Sequence, residues 1–229
     1  MKILVTRPEP GLSQLMARLV ALKKEPIAAP MLQIEISSPL APIFGNTILI
    51  TSSHALPALK RQDRNCRILS VGESTAQKAK ELGFRHVFSA GGNAEKLKNL
   101  YEKMGCTAKD SWLAIGCGNN EKLYGDFLVK SLGIRRFKTY QVRWTSSLSK
   151  EVRDFLKQPI RKQILFYSSE TVRSFFNLIQ REEKKTDFQI DRGKIEIFCF
   201  SPEIAKILKE DAHSLEWARI EDNLSEIFK

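Results

Sequence analysis

The sequence predicts an α/β protein of two lobes, each a parallel sheet flanked by helices. Three observations carry this. Short apolar runs alternate with amphipathic helical patterns from end to end, as βαβ units require. One unit also occurs twice: an apolar run, a pair of small hydroxyl residues, then a helical pattern. The copies are Ile48-Leu49-Ile50-Thr51-Ser52-Ser53, leading to Ala55, Leu56 and Leu59, and Ile164-Leu165-Phe166-Tyr167-Ser168-Ser169, leading to Val172, Phe175 and Phe176. Finally, two linker-like stretches, near 35–46 and 140–147, divide the chain into an inserted middle and an outer remainder.

The elements follow in order. Ile3-Leu4-Val5 reads as a strand, and Leu12, Leu15, Met16, Leu19 and Leu22 share one helical face. Pro26 to Ile34 is apolar but interrupted by Pro30, so an irregular strand is expected. Ser37, Ser38, Pro39, Pro42 and Gly45 mark the first linker. Strands are then expected near 47–50, 67–71, 86–88, 111–115 and 136–140, with helices near 53–61, 73–82, 93–104 and 119–131. Gly83 and Gly133 stand where helices should stop. Residues 140–147 form the second crossing. Beyond it come a helix near 148–157, a strand at 163–167, a helix at 169–182 and a strand at 194–200. A helix at 202–210, a short strand near 215–219 and a last helix from about 221 complete the chain.

The N-terminal strand-helix-strand has too little core to stand alone. Residues 1–35 should therefore join 146–229 as one discontinuous lobe, with 37–140 inserted as the other. Two crossings between lobes predict a cleft with a hinge at its base.

Composition narrows the functional classes. Apolar content of 42% and charged content of 28% are globular values. No apolar run approaches a membrane span, and the charge at Arg7 comes too early for a secretory signal, so a cytoplasmic protein is expected. Cys66, Cys106, Cys117 and Cys199 are too scattered for a zinc site or a disulfide framework. The net charge of +11 is spread over polar helix faces and mixed-sign clusters such as Arg181-Glu182-Glu183-Lys184-Lys185. Without a nucleic-acid-binding motif, that field suits a small acidic substrate better than nucleic acid.

The hydroxyl pairs carry the chemistry. A strand that ends in Ser or Thr and runs into a helix offers unpaired first-turn N–H groups and the positive end of the helix dipole. Ser52, Ser53, Ser74, Thr75, Ser168, Ser169 and Ser201 occupy such places. Each has two readings, a helix cap or an anion contact, and so does Gly91-Gly92-Asn93-Ala94, where Asn93 suits an N-cap. Gly116-Cys117-Gly118 reads as a tight strand-to-helix turn or a backbone cradle for a carboxylate; it lacks a third glycine for a dinucleotide fingerprint. His54, His86 and His213 sit in no nucleophile motif. Tyr140, at the start of the return crossing, is placed either as a hydrogen-bond donor to a ligand or as a packing tyrosine.

Taken in order, these segments resemble the uroporphyrinogen-III synthase family. The resemblance rests on Ile3-Leu4-Val5-Thr6-Arg7-Pro8, the Pro30 region, Thr51-Ser52-Ser53, Val71-Gly72-Glu73-Ser74-Thr75-Ala76 and Gly92-Asn93-Ala94-Glu95-Lys96-Leu97. It continues through Cys117-Gly118-Asn119, the Tyr140 segment, Tyr167-Ser168-Ser169 and Phe200-Ser201-Pro202, covering nearly the whole chain.

The resemblance implies two α/β lobes joined by a two-stranded connection, with the active site in the interdomain cleft. The implied substrate is hydroxymethylbilane, a linear tetrapyrrole with eight carboxylates. It would be closed to uroporphyrinogen III with inversion of ring D, by a cyclising hydro-lyase without metal or organic cofactor. Tyr140 takes the place of the family's cleft tyrosine, which hydrogen-bonds the departing hydroxyl. Substrate contacts are implied at Thr6, Arg7, Ser52, Ser53, Gly72, Ser74, Thr75, Gly92, Asn93, Ala94, Cys117, Gly118, Asn119, Ser168, Ser169 and Ser201. A monomer is expected, without nucleic-acid or membrane partners; a transient contact with the preceding pathway enzyme is left open.

Two departures stand out. Many bacterial members carry an arginine where Gly116 stands, and His54 replaces a frequent asparagine. The missing arginine gives some weight to a rival reading, a non-catalytic binder of tetrapyrroles or other polycarboxylates with the same fold.

Overall fold

The computed structural model describes residues 2–43, 45–191, 195–199, 202–211 and 218–221. It divides into two compact units. The terminal unit comprises Met1–Gln33 and Trp144–Lys229, and the inserted unit comprises Ile34–Arg143.

The terminal unit contains β1 (Lys2–Val5), α1 (Gly11–Ala21) and β2 (Glu25–Ala28) from the first pass of the chain. After the insertion come α5 (Lys150–Lys157), β9 (Lys162–Phe166), α6 (Ser169–Lys185), β10 (Ile195–Cys199), α7 (Pro202–Asp211) and β11 (Ala218–Glu221). Its sheet has the order β11-β10-β9-β1-β2, and every pair is parallel. Alternation along β1 feeds two cores. Ile3 and Val5 pack with Leu12, Leu15 and Leu19 of α1, whereas Leu4 packs with Val152, Phe155, Val172 and Phe175 of α5 and α6. Covered on both faces, all five residues of β9 are buried.

The inserted unit contains β3 (Leu32–Ile36), β4 (Thr47–Ile50), β5 (Arg67–Ser70), α2 (Glu73–Glu81) and β6 (His86–Ser89). It continues with α3 (Ala94–Lys103), β7 (Ser111–Cys117), α4 (Asp126–Leu132) and β8 (Arg135–Trp144). The sheet order is β3-β8-β7-β4-β5-β6, with β4 through β8 parallel. Leu49, Leu69, Leu113 and Ile115 pack against Leu97 and Tyr101 of α3 and Leu128 of α4.

Most elements lie within a residue or two of the periodicity that predicts them, and the differences have local causes. The helix expected over 53–61 is a 3-10 helix, Ser53–Leu59. Pro57 inside it lacks an N–H and crowds an α-helical turn. The irregular strand expected across Pro26–Ile34 is two strands, β2 and β3, parted around Pro30. The strand expected to end at 140 runs on to Trp144, because nothing from Arg135 onward breaks it and Tyr140, Val142 and Trp144 favour extended backbone. The last helix, expected from about 221, finds its first residue, Glu221, in β11; the remainder lies outside the described residues.

The largest shift is at α4. The helix expected from 119 starts at Asp126. Residues 118–125 instead fold back on β7: the Gly118 N–H donates to the Lys122 carbonyl at 2.9 Å, and Glu121 takes a φ of +64°. Cys117 bridges Leu123 antiparallel, and Gly125 enters α4 at φ +80°. A side chain at Gly125 would sit in a left-handed conformation with its Cβ 2.6 Å from Leu113 Cδ2. Gly125→Ala should lose about 1–3 kcal/mol of stability, visible as a lower urea midpoint. An unchanged midpoint would mean the turn does not fix where α4 starts.

Candidate active site

In the inserted unit the chain runs β4, β5, β6 toward one edge, then returns to β7 and β8 on the other side of β4. The reversal lies between β4 and β7. In open α/β sheets such a switch point, outside the carboxyl ends of the strands, is where ligands bind. The carboxyl end of β4 is followed by Ser52 and Ser53, and that of β7 contains Gly116.

Tyr140 reaches this point from the next strand. A register shift between Ile115 and Gly116 pairs Ile115 with Lys138 and Gly116 with Tyr140, so Thr139 is the extra residue of a bulge. Its hydroxyl donates to the Ile115 carbonyl at 2.9 Å. Bulges re-aim side chains, and here the following residue, Tyr140, lies over Gly116. A Cβ built at Gly116 would stand 2.2 Å from Tyr140 Cε2 and 2.3 Å from Cζ. The ring therefore crosses the middle strand where that strand has no side chain, and it meets Ser52 beyond β7. The His54 ring tilts against it, centroids 5.5 Å apart.

Only 6% of Tyr140 is exposed. Burial raises its pKa above the ordinary phenol value, and hydrogen bonding from Ser52 and from the backbone at Gly116 pulls the other way. The phenol is thus neutral at physiological pH and keeps a proton to donate.

The terminal unit repeats the arrangement with other residues. Its chain reverses between β1 and β9, where Arg7 and Tyr167 meet. The Arg7 guanidinium lies over the Tyr167 ring, 5.0 Å from its centroid. Burial raises the Tyr167 pKa, and the positive charges of Arg7 and Arg18 oppose the shift.

The hydroxyl residues divide between the two readings. Three side chains cap helices: the Ser52 oxygen accepts from the His54 N–H at 3.3 Å, Asn93 from Lys96 at 3.1 Å and Ser168 from Thr171 at 3.2 Å. Helix α2 starts at Gly72 without a side-chain cap, and the space beside Gly72 is open. Ser74 is exposed and Thr75 half-buried in its first turn; Ser53 and Ser169 are half-buried at their helix starts. Gly92 and Asn93 are exposed, and Ala94 is half-buried.

Other expected contacts are turned inward. Thr6 is fully buried, and its hydroxyl donates to the Leu165 carbonyl at 2.6 Å, joining β1 to β9. Cys117 and Gly118 are buried too, and Gly118 exchanges backbone hydrogen bonds within its own turn. That turn opens no helix, so the carboxylate cradle expected there lacks its dipole; Asn119 alone of the three is exposed. Ser201 lies outside the described residues.

Reading the sequence missed the bulge at Thr139, the ring of His54 and the use of Gly116. A glycine inside an apolar strand was a signal for close approach. Nothing in the sequence said which side chain would approach.

A unit wound both ways from a central switch point belongs to the open parallel-sheet α/β proteins. The family model described as uroporphyrinogen-III synthase HemD matches residues 13–218, and the chain belongs to that family, whose function is in tetrapyrrole biosynthesis. The fold agrees with two solved structures. The uroporphyrinogen-III synthetase of Helicobacter pylori 26695 superposes with a TM-score of 0.62 at 15% identity, covering 99% of this chain and 95% of that one. A mutant uroporphyrinogen III synthase of the extreme thermophile Thermus thermophilus gives a TM-score of 0.54 at 13% identity, with coverage of 99% and 95%. No curated protein sequence matches the chain. Among the described residues no helix is long and apolar enough to cross a membrane, and no group of His, Cys, Asp or Glu is arranged to hold a metal ion.

The raised Tyr140 pKa has a consequence for stability. A phenol that holds its proton more tightly folded than unfolded contributes stability in full below its unfolded pKa, about 10. That contribution is lost as pH rises through the higher folded value. Between roughly pH 9 and 11 the stability of wild type should therefore fall more steeply than that of Tyr140→Phe. Parallel curves from urea unfolding would show that Tyr140 keeps an ordinary pKa.

Proposed function

We propose that the chain is a cyclising hydro-lyase that converts hydroxymethylbilane to uroporphyrinogen III. Family membership supports the reaction, and the observation that carries the site is the neutral Tyr140 phenol held at the switch point of the inserted unit.

The reaction asks little of a protein in acid-base terms. The pyrrole nitrogen of ring A expels the hydroxyl, which takes up a proton from solvent and leaves as water, and an azafulvene cation remains. The substituted carbon of ring D attacks that cation. The resulting spiro intermediate fragments and recloses with ring D turned over, and a final proton loss restores the aromatic pyrrole. Without control, the unsubstituted carbon attacks and gives the uninverted isomer. Catalysis is therefore mainly a matter of holding one conformation.

Tyr140 donates a hydrogen bond to the departing hydroxyl. Because its pKa lies above the ordinary range, it helps the oxygen leave without delivering a full proton, so turnover depends on it in degree. Carboxylates of the substrate are gripped by backbone amides at the starts of α2 and α3, near Gly72 and Asn93 in the inserted unit. The net charge of +11 draws the polyanion in. The non-catalytic reading rested on the arginine absent at residue 116; the glycine has a use of its own beneath Tyr140, so its presence no longer favours a mere binder.

Incubation with hydroxymethylbilane, followed by separation of the isomers, should give the III isomer in excess. The I isomer alone, as in buffer, would overturn the proposal. Tyr140→Phe should lower kcat on the order of tenfold, the loss of one hydrogen bond of about 1.4 kcal/mol, with KM nearly unchanged. Unaltered kcat would take the tyrosine out of the reaction.

A further inference from the structure

The departing hydroxyl needs a donor at one fixed point, and a tyrosine side chain alone does not supply that. Two torsions place a phenol oxygen, and a ring lying over a strand is free to swing unless it is seated. Gly116 of β7 is the seat: the first side-chain carbon of any other residue would stand 2.2 Å from Cε2, so the ring would have to leave its place. The bulge at Thr139 sets the direction of approach, and the His54 ring closes one flank.

We propose that Gly116 is a positioning residue for Tyr140, its lack of a side chain giving the phenol its aim. The inference rests on the proposed role of Tyr140 and adds which residue makes that role possible. Gly116 offers no side chain to a ligand.

The test is a double-mutant cycle with a structural readout beside it. Gly116→Ala should lower kcat roughly tenfold with little change in KM. In the Tyr140→Phe background the same substitution should cost almost nothing further, because a seat without its hydroxyl positions nothing. Independent losses that multiply in the double variant would overturn the proposal.

The second readout needs no activity. Tetranitromethane nitration with peptide mass spectrometry should find Tyr140 protected in wild type and several-fold more reactive in Gly116→Ala, displaced from its seat. Equal protection would also overturn the proposal. If Tyr140→Phe leaves kcat unchanged, the catalytic role fails while the nitration result still decides the seat. If Tyr140→Phe is slow but Gly116→Ala is not, the positioning role fails alone.

Discussion

The contact on which the site depends is an aromatic ring resting on bare backbone. Tyr140 lies over Gly116, and the absence of one carbon atom in β7 lets a side chain of β8 reach the strand after next. Everything else at the switch point is arranged around that crossing. The bulge at Thr139 turns the side chain to the required face, Ser52 meets its oxygen, and burial keeps the oxygen protonated. A parallel sheet places neighbouring strands about 4.8 Å apart, so a side chain spanning two of them must be long and must cross nothing tall. Tyrosine over glycine meets both conditions.

Much of this architecture was legible in the sequence, because the relevant signals are local. The runs Ile48-Leu49-Ile50 and Ile164-Leu165-Phe166 are apolar without alternation, as strands covered on both faces must be. The helical faces of Leu12, Leu15 and Leu19, and of Val172, Phe175 and Leu178, repeat at helical spacing and enter the core. Where the reading slipped, a competing local rule decided. Pro57 converted an expected α-helix to a tighter one, and a turn with a left-handed Gly125 delayed α4 past its hydrophobic pattern.

The site was legible only in part, for a physical reason. Hydroxyl residues at strand ends announce helix caps, and Ser52, Asn93 and Ser168 are caps. Whether such a residue also faces a ligand depends on neighbours far away in sequence. The hydroxyl of Thr6, a contact that the family resemblance implies, is spent on Leu165, 159 residues on. Tyr140 was singled out for a place at the end of a strand; it sits in the middle of one and reaches the site because a bulge turns it. Register shifts of that kind leave no mark in composition or periodicity.

The discontinuity of the terminal unit bears on the order in which the chain is made. Strand β1 is flanked by β2, which follows it at once, and by β9, which does not exist until residue 162 has been synthesised. The inserted unit is continuous and has its last β7–β8 pairs by Gln141, so it can close while still on the ribosome. Until β9 emerges, Ile3, Leu4 and Val5 wait with one edge and much of both faces uncovered. The second edge of β1 therefore stays open through the synthesis of the whole inserted unit, and the terminal sheet is completed only after the inserted one can close.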